Sequence, residues 1–480
     1  MKLLPLLMVL GVFAPGAALA AASAPKTNVL FLVADDLNCD LACYGAAGLQ
    51  TPNIDRLAAR GVLFERAYCQ FPLCSPSRSS FLTGRRPNVT GIHTNPNVRT
   101  PVSPHFREKL PDTVTLPQLF RRNGWFAARV GKLYHYGVPE DLGTSSLDDY
   151  YSWDQVINPR GRDRDQHHRI FSLLPGTADP FGRVLSWLAD DGPDAEQTDG
   201  VGATDAIGLL EKFQRESRPF FLGVGFYRPH TPYVAPKKWF DLYPADQVVL
   251  PTLSADDRAR TPTAAYGSFY PEQDAMSDEQ RRQAIQGYRA SISFMDAQVG
   301  RVLDALDRLG LAQNTIIVFA SDHGYHLGDH GLWQKRSLFE RSARVPLIIA
   351  LPDRRNAGRR AAAPVELLDL YPTLAALTGQ SAPAYLDGLS LRPVLENPDA
   401  SVRRAAISQT RLPQNIEGYS ARTTRWRYTE WHTADGQPAG TQLYDEESDP
   451  REATNLVSHP DHAAIVAELS ALLAPVRTRR

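Results

Sequence analysis

Cysteine is scarce in this chain, and neither sign of charge is in excess. Only Cys39, Cys43, Cys69 and Cys74 are present among 480 residues, without the paired C-x-x-C ligands of a tetrathiolate zinc site. Lys and Arg total 52 against 53 Asp and Glu, a net charge of -1, so global charge gives no attraction for nucleic acid or a membrane surface. An anionic substrate must be drawn in by local basic residues. Internal repeats and nucleic-acid motifs are lacking, and after the opening residues no run has the length and apolarity of a transmembrane helix.

The opening residues are apolar to Phe13, carry Lys2 near the start, and turn Ala-rich with Ala18-Leu19-Ala20 fitting a small-x-small cleavage site. Pro5 and Pro15 interrupt the run. This predicts a signal peptide over residues 1–22, cleaved near Ala21, and an exported protein, periplasmic or secreted. Such a compartment permits one disulfide among Cys39, Cys43 and Cys69, with the pair left open.

Beyond it, β-rich apolar runs alternate with helical periodicity. Residues 28–34, 125–130, 219–226, 315–320 and 345–350 read as buried strands of a mostly parallel sheet. Before the fourth run, Ile285, Tyr288, Ile292, Met295, Val299, Val302, Leu303 and Leu306 recur at three-to-four spacing, predicting a long amphipathic helix over 281–309. The alternation implies an α/β fold, a large sheet flanked by helices. Residues 140–200 and 250–280, rich in Asp, Gly, Pro and Arg, read as long surface insertions. From about 376 the pattern changes to short strands at 389–394, 405–409, 419–422 and 426–429, a turn over 444–450 and a closing helix over 462–473. The expected organisation is a main domain over 23–375 and a smaller C-terminal antiparallel-sheet subdomain over 376–480.

The strands share a feature at their carboxyl ends. The first runs into Asp35-Asp36, the second into Lys132 and His135, the third into His230, and the fourth into Asp322-His323. Ligands in open α/β sheets bind beyond the carboxyl ends of strands, so one site could gather all of these groups. Singly, each has an ordinary role as a loop cap, a solvated lysine or a hydrogen-bonded histidine. Residues 74–84 read Cys-Ser-Pro-Ser-Arg-Ser-Ser-Phe-Leu-Thr-Gly. Pro76 suits a first helical turn and Gly84 a stop, predicting a helix over 76–83 with Cys74 just before its amino end, where unpaired N–H groups favour an anion. Arg78, four residues on, can face the same side.

This segment resembles the signature of type I sulfatases, Cys-x-Pro-Ser-Arg-x-x-x-Leu-Thr-Gly, whose cysteine is oxidised after translation to formylglycine. Cys74, Pro76, Ser77, Arg78, Leu82, Thr83 and Gly84 match every fixed position. Segments 51–58, 131–135, 228–232, 321–324 and 443–445 are also similar to sulfatase segments, so the resemblance covers about residues 27 to 456. His323 (many sulfatases have Asn there) and Arg-Pro-His-Thr-Pro at 228–232 are most similar to iduronate-2-sulfatases. The family lies in the alkaline phosphatase superfamily. The departures fall in the insertions and the C-terminal region, where sugar specificity is often decided.

The resemblance implies a hydrolase of sulfate esters on a sulfated saccharide, a 2-O-sulfated uronic acid being the expected substrate. Asp35, Asp36, Asp322, His323 and the aldehyde hydrate at 74 would hold one divalent ion. An oxygen-dominated set suits Ca²⁺, with Mg²⁺ second, and His323 is the less usual member. The hydrate attacks sulfur through one hydroxyl and forms a sulfate ester, and Lys335 or His230 protonates the departing sugar oxygen. Lys132, Arg78 and the ion stabilise charge on the sulfuryl oxygens. His135 then takes the proton of the second hydroxyl and sulfate leaves. The maturation partner is a formylglycine-generating enzyme; no nucleic acid is expected, no membrane after signal cleavage, and oligomeric state is left open. Alternatives are a sulfatase for another sulfated polysaccharide or aryl sulfate, a phosphoester or phosphonate hydrolase, and a glycan-binding protein with unconverted Cys74.

In a host with the modifying machinery, the tryptic peptide spanning residues 67–78 is expected to carry an aldehyde at 74 and a thiol or disulfide at Cys69. Peptide mass spectrometry reads both, and full thiol labelling of Cys74 in an active sample refutes the conversion.

Overall fold

The five apolar runs become strands because each buries both faces. In the computed structural model, which describes residues 26–95, 105–145, 147–177, 180–182, 184–252 and 257–478, β1 (Asn28–Asp35) is buried along its whole length. The predicted signal peptide at 1–22 lies outside the described residues. In β1, Leu30, Leu32 and Ala34 enter one core cluster and Val29, Phe31 and Val33 the other, as the two-residue strand period dictates.

The main sheet has eight strands. In chain order they are β1, β2 (Val62–Phe64), β3 (Phe126–Gly131), β4 (Gln155–Ile157), β5 (Phe220–Pro229), β6 (Thr315–Ser321), β7 (Leu347–Ala350) and β8 (Arg360–Ala361). Their order across the sheet is β8-β2-β7-β6-β1-β5-β3-β4. β1 pairs parallel with β5 and β6, and β3 with β4 and β5. β7 runs antiparallel to both β6 and β2, a correction to the parallel arrangement expected for the fifth run. That run is also broken at Pro346, which has no N–H to donate; Arg344–Val345 pairs with Ala67–Tyr68 in a separate small sheet.

Helix α1 (Cys74–Thr83) stands beside the sheet, and α2 (Thr198–Glu216) and α3 (Asp278–Arg308) pack against it. All eight apolar positions predicted for the long helix are buried, and Ser277 with Gln280 forms a capping box at its start. The region 140–200 is more ordered than a surface insertion. It supplies edge strand β4, and Ser186–Asp190 pairs with Tyr233–Pro236 beside the His230 loop.

The C-terminal unit is a four-stranded antiparallel meander, β9 (Ala406–Arg411), β10 (Glu417–Arg422), β11 (Trp426–His432) and β12 (Pro438–Asp445), closed by α4 (Ala463–Thr478). Leu469, Leu473 and Val476 of α4 pack on Tyr419, Ala421, Tyr428 and Leu443. Two expectations are corrected here. The strand expected at 389–394 is occupied by a short helix, Arg392–Glu396, and β12 replaces the start of the expected turn. The boundary drawn at 375/376 falls inside the helix Leu370–Leu377. No helix among the described residues is long and apolar enough to cross a membrane.

Two glycines bring β3 and β5 together at their carboxyl ends. Gly131 has φ of 72°, and a Cβ there would overlap the Gly225 carbonyl; a Cβ on Gly225 would overlap the Lys132 carbonyl. Lys132 N–H donates to Gly225 O at 2.8 Å, which sets the start of the Lys132 loop. Gly225→Ala is therefore expected to cost about 1–3 kcal/mol by overpacking and to displace Lys132. Thermal denaturation and turnover should fall together, and an unchanged melting midpoint would contradict the close approach.

Candidate active site

The strand ends converge as their sequence positions required. Asp35 ends β1 and Asp36 follows it with φ of 67°, a left-handed turn. That turn is fixed by neighbours: Asp36 N–H donates to Asp322 Oδ1 at 3.2 Å, Leu37 N–H to Ser321 Oγ at 2.9 Å, and Tyr288 Oη to Asp36 O at 2.8 Å. Cys74 is fully buried and is the first residue of α1, not the residue before it. The helix starts two residues earlier than Pro76 predicted and ends as expected at Gly84, with φ of 68° and its N–H bonded to Ser80 O.

The donor atoms of Asp35, Asp36, Cys74 and His323 all lie within 4.8 Å of one another. Cys74 Sγ is 3.5 Å from Asp35 Oδ1, 4.0 Å from Asp36 Oδ1 and 3.4 Å from His323 Nε2. His323 Nδ1 donates to Gly324 O at 2.9 Å, which turns Nε2 toward Cys74. Asp322 borders this group, its Oδ2 3.6 Å from His323 Nε2, and both its oxygens already accept: Oδ1 from Asp36 and His323 N–H, Oδ2 from Arg78 Nε at 2.8 Å.

Cations surround these carboxylates. Lys132 Nζ pairs with Asp35 Oδ2, and Lys335 Nζ reaches Asp36 Oδ1 at 2.6 Å and Cys74 Sγ at 3.3 Å. Arg78 faces the same side as Cys74, as the helix spacing suggested: both reach Asp35 Oδ1, at 3.4 and 3.5 Å. Its fork is taken up by Asp322, by Asp35 Oδ1 at 3.4 Å, and by the Lys132 and Leu133 carbonyls, so it acts through the carboxylates. His230 Nδ1 donates to Thr231 O, leaving Nε2 4.0 Å from Asp36 Oδ2. His135 is half-buried beyond Lys132 and lines a small cavity with Ser75 and Ser79 of α1.

Electrostatics divides these groups by role. Burial pushes the Asp36 carboxyl up to about 7, although Lys335 and His323 pull it down. At Asp35 burial also works upward, but Lys132, His230 and Arg78 hold the carboxyl well below the usual range. Burial disfavours charge on His323, yet Asp322 and Asp36 prevail and raise it to about 9. Burial and Lys132 hold His135 well below the ordinary histidine value; burial, Lys335 and Lys132 do the same to His230. Burial opposes the charge on Lys335, but Asp36 and Cys74 keep it more firmly charged than a free lysine. The fixed ammonium of Lys335 thus lies on Cys74 and Asp36, with His230 beside Asp36 and His135 in the cavity lined by Ser75.

All ten site residues expected from the sequence come to this one place. Tyr288 and Ser77 were missed. Tyr288 read as an apolar helix position, and its hydroxyl, on an otherwise aliphatic stripe, was the signal. Ser77 Oγ donates to Asp322 O, tying α1 to the end of β6, and it stood in view within the 74–84 motif.

Comparison with known proteins agrees with this geometry. The sulfatase family model matches residues 27–380, and that of the N-sulphoglucosamine sulphohydrolase C-terminal region matches 328–479. The chain is 32% identical to iduronate 2-sulfatase of Mus musculus, covering 92% of this chain and 93% of that protein. Among solved structures, a 2-O GAG sulfatase superposes with TM-score 0.71 at 26% identity, covering 95% of this chain and 92% of that one. The phosphonate monoester hydrolase of Agrobacterium radiobacter shares the fold, with TM-score 0.73 at 24% identity over 94% of this chain and 95% of that one. The chain belongs to the sulfatase family.

Proposed function

We propose that this sulfuric ester hydrolase acts on a sulfated saccharide, a 2-O-sulfated uronic acid of a glycosaminoglycan, through formylglycine at 74 and a calcium ion. The observation that carries the reading is the buried set of Cys74, Asp35, Asp36, His323 and Lys335 at the amino end of α1. The similarity to iduronate 2-sulfatase and to the 2-O GAG sulfatase supports the saccharide and the position of its sulfate. The likeness to the phosphonate hydrolase is one of fold alone. The leader at 1–22 supports export to the periplasm or medium, where such saccharides are met.

The residues present fit a hard divalent cation. Asp36 Oδ2 is shielded from solvent and receives no hydrogen bond among the described residues, and its carboxyl is pushed up to about 7 by burial that the nearby cations do not offset. Asp35, Asp36, Asp322 and His323 would hold the ion with residue 74, and carboxylate oxygens favour Ca²⁺ over Zn²⁺. When bound, the ion stabilises negative charge on the sulfuryl oxygens. Formylglycine, hydrated, supplies two hydroxyls on one carbon, one to attack sulfur and one whose deprotonation releases sulfate.

The chain's own groups fill the remaining roles. Lys335, charged and in contact with Sγ of residue 74, donates toward the departing sugar oxygen. His230 has its Nδ1 proton on the Thr231 carbonyl and a bare Nε2, so it orients rather than protonates. His135, held neutral, accepts the proton of the second hydroxyl. Lys132 and Arg78 pair with Asp35 and Asp322 and hold them in place.

Cys74→Ser, produced where serine is not converted, retains one hydroxyl and loses the second. It is expected to bind substrate and release at most one leaving group per chain, with sulfate remaining on the serine by mass. Sustained turnover by the unmodified serine variant would sink the mechanism, and matched aryl sulfate and aryl phosphate assays separate the phosphoester alternative.

Calcium is expected to raise the melting midpoint of the wild-type chain. At about 100 times Kd the stabilisation is about 2.7 kcal/mol, and Zn²⁺ gives less. Asp36→Asn should lose the increment. A midpoint indifferent to Ca²⁺, Mg²⁺ and chelator overturns the ion assignment without reference to activity.

A further inference from the structure

The chain's buried arginines are matched with acids. Arg78, Arg86, Arg129, Arg228, Arg422 and Arg427 each contact a carboxylate. Among the described residues, three arginines have a nitrogen shielded from solvent with no hydrogen-bond partner: Arg78, Arg336 and Arg344. The first lies 3.4 Å from Asp35 and the last 3.8 Å from Glu340. Arg336 alone of these pairs with no carboxylate among the described residues.

Its position is informative. Arg336 follows Lys335, and its N–H donates at 3.0 Å to the carbonyl of Pro72, two residues before Cys74. Its φ of 77° is left-handed, as is the 68° of Gln334, so Lys335 sits between two residues in a conformation that non-glycine residues hold only where the surroundings impose it. The surroundings include the C-terminal unit: Thr410 Oγ1 donates to Arg336 O at 3.4 Å. The next residue, Arg411, is partly exposed and 3.9 Å from Glu417. His93, whose ring centroid is 6.3 Å from that of Phe71, is pushed down to about 4 by burial, with Arg411 and then Lys109 contributing against Glu417.

We propose that Arg336 is a specificity-determining residue that receives the carboxylate of a sulfated uronic acid, on the same sugar whose sulfate ester faces residue 74. This rests on the sulfatase reading above. Lys335 is engaged at the reacting centre with Asp36 and residue 74, so a carboxylate elsewhere on the sugar needs another cation. A guanidinium stays charged, and its planar fork matches a carboxylate in two parallel hydrogen bonds. A half-buried cation lacking an acid is relieved when the substrate brings one, so the site favours carboxylated sugars over neutral ones.

The test compares wild type, Arg336→Gln and Arg336→Lys on four substrates. These are a fluorogenic uronide 2-sulfate, its counterpart with hydroxymethyl in place of the carboxylate, the counterpart bearing a second sulfate there, and nitrophenyl sulfate. In Arg336→Gln the ratio of kcat/KM for the carboxylated over the hydroxymethyl sugar should fall by about 10- to 100-fold, chiefly through KM. Arg336→Lys should keep part of the preference, because it retains the charge and loses the fork. An unchanged ratio overturns the proposal, as does a fall confined to the disulfated sugar. A wild-type enzyme that cleaves nitrophenyl sulfate without preferring the carboxylate also overturns it while leaving the sulfatase reading intact; inactivity of the mature enzyme on every sulfate ester overturns both.

Discussion

Three carboxylates, Asp35, Asp36 and Asp322, are buried in one place, and the surrounding structure depends on making that tolerable. An isolated charge taken out of water costs several kcal/mol even after relaxation, so each acid must be met by a cation or a donor. Asp35 is met by Lys132 and Arg78, and Asp322 by Arg78 and two backbone N–H groups. Asp36 has Lys335, a distant His230 and the His323 ring, and its carboxyl is the one burial lifts to about 7. The weakly met atom is Asp36 Oδ2, which has His230 Nε2 at 4.0 Å and no hydrogen bond among the described residues.

The fold supplies this cluster cheaply because parallel strands end together. β6, β1, β5 and β3 are four consecutive strands of the sheet, so residues far apart in the chain emerge within a few ångströms of one another. Close packing at those ends needs small residues, which is the role of Gly131 and Gly225. Helix α1 brings Cys74 in from the side, and Ser77 ties it to the end of β6. The left-handed Asp36 then lets two consecutive acids serve one centre.

Much of this was legible because it is local or periodic. Four of the five main strands, the long helix and seven of the site residues follow from apolar runs, three-to-four spacing and the polar groups after each run, whereas Cys74 and Arg78 come from the 74–84 segment and Lys335 from the family resemblance. The direction of β7 was not legible, since an antiparallel strand buried on both faces has the same composition as a parallel one. β12 was not expected: Pro438 and Gly440 weaken any strand signal at its start, and its register is imposed by β11 rather than by its own propensity. Helix spacing alone points Arg78 at the nucleophile. Which of several partners within reach takes a guanidinium depends on tertiary packing, and here Asp322, Asp35 and two carbonyls are the partners.

The seam between the two units bears on specificity as well as stability. Glu340, five residues after Lys335, accepts from Tyr68 Oη at 3.0 Å and Arg422 Nε at 3.2 Å and also pairs with Arg427, while its N–H donates to Glu452 at 2.7 Å. Burial opposes ionisation of Glu340, but Arg422 and Arg427 hold its carboxyl at about 2. Removing one partner of such a buried pair costs about 3–5 kcal/mol. The loop carrying Lys335 and Arg336 is therefore pinned at one end by Pro72 beside the nucleophile and at the other by the C-terminal sheet. The main sheet positions the carboxylate cluster, whereas Lys335 and Arg336 are held from both the nucleophile side and the C-terminal unit. Changes in the C-terminal unit can thus reach Asp36 and residue 74 through Lys335.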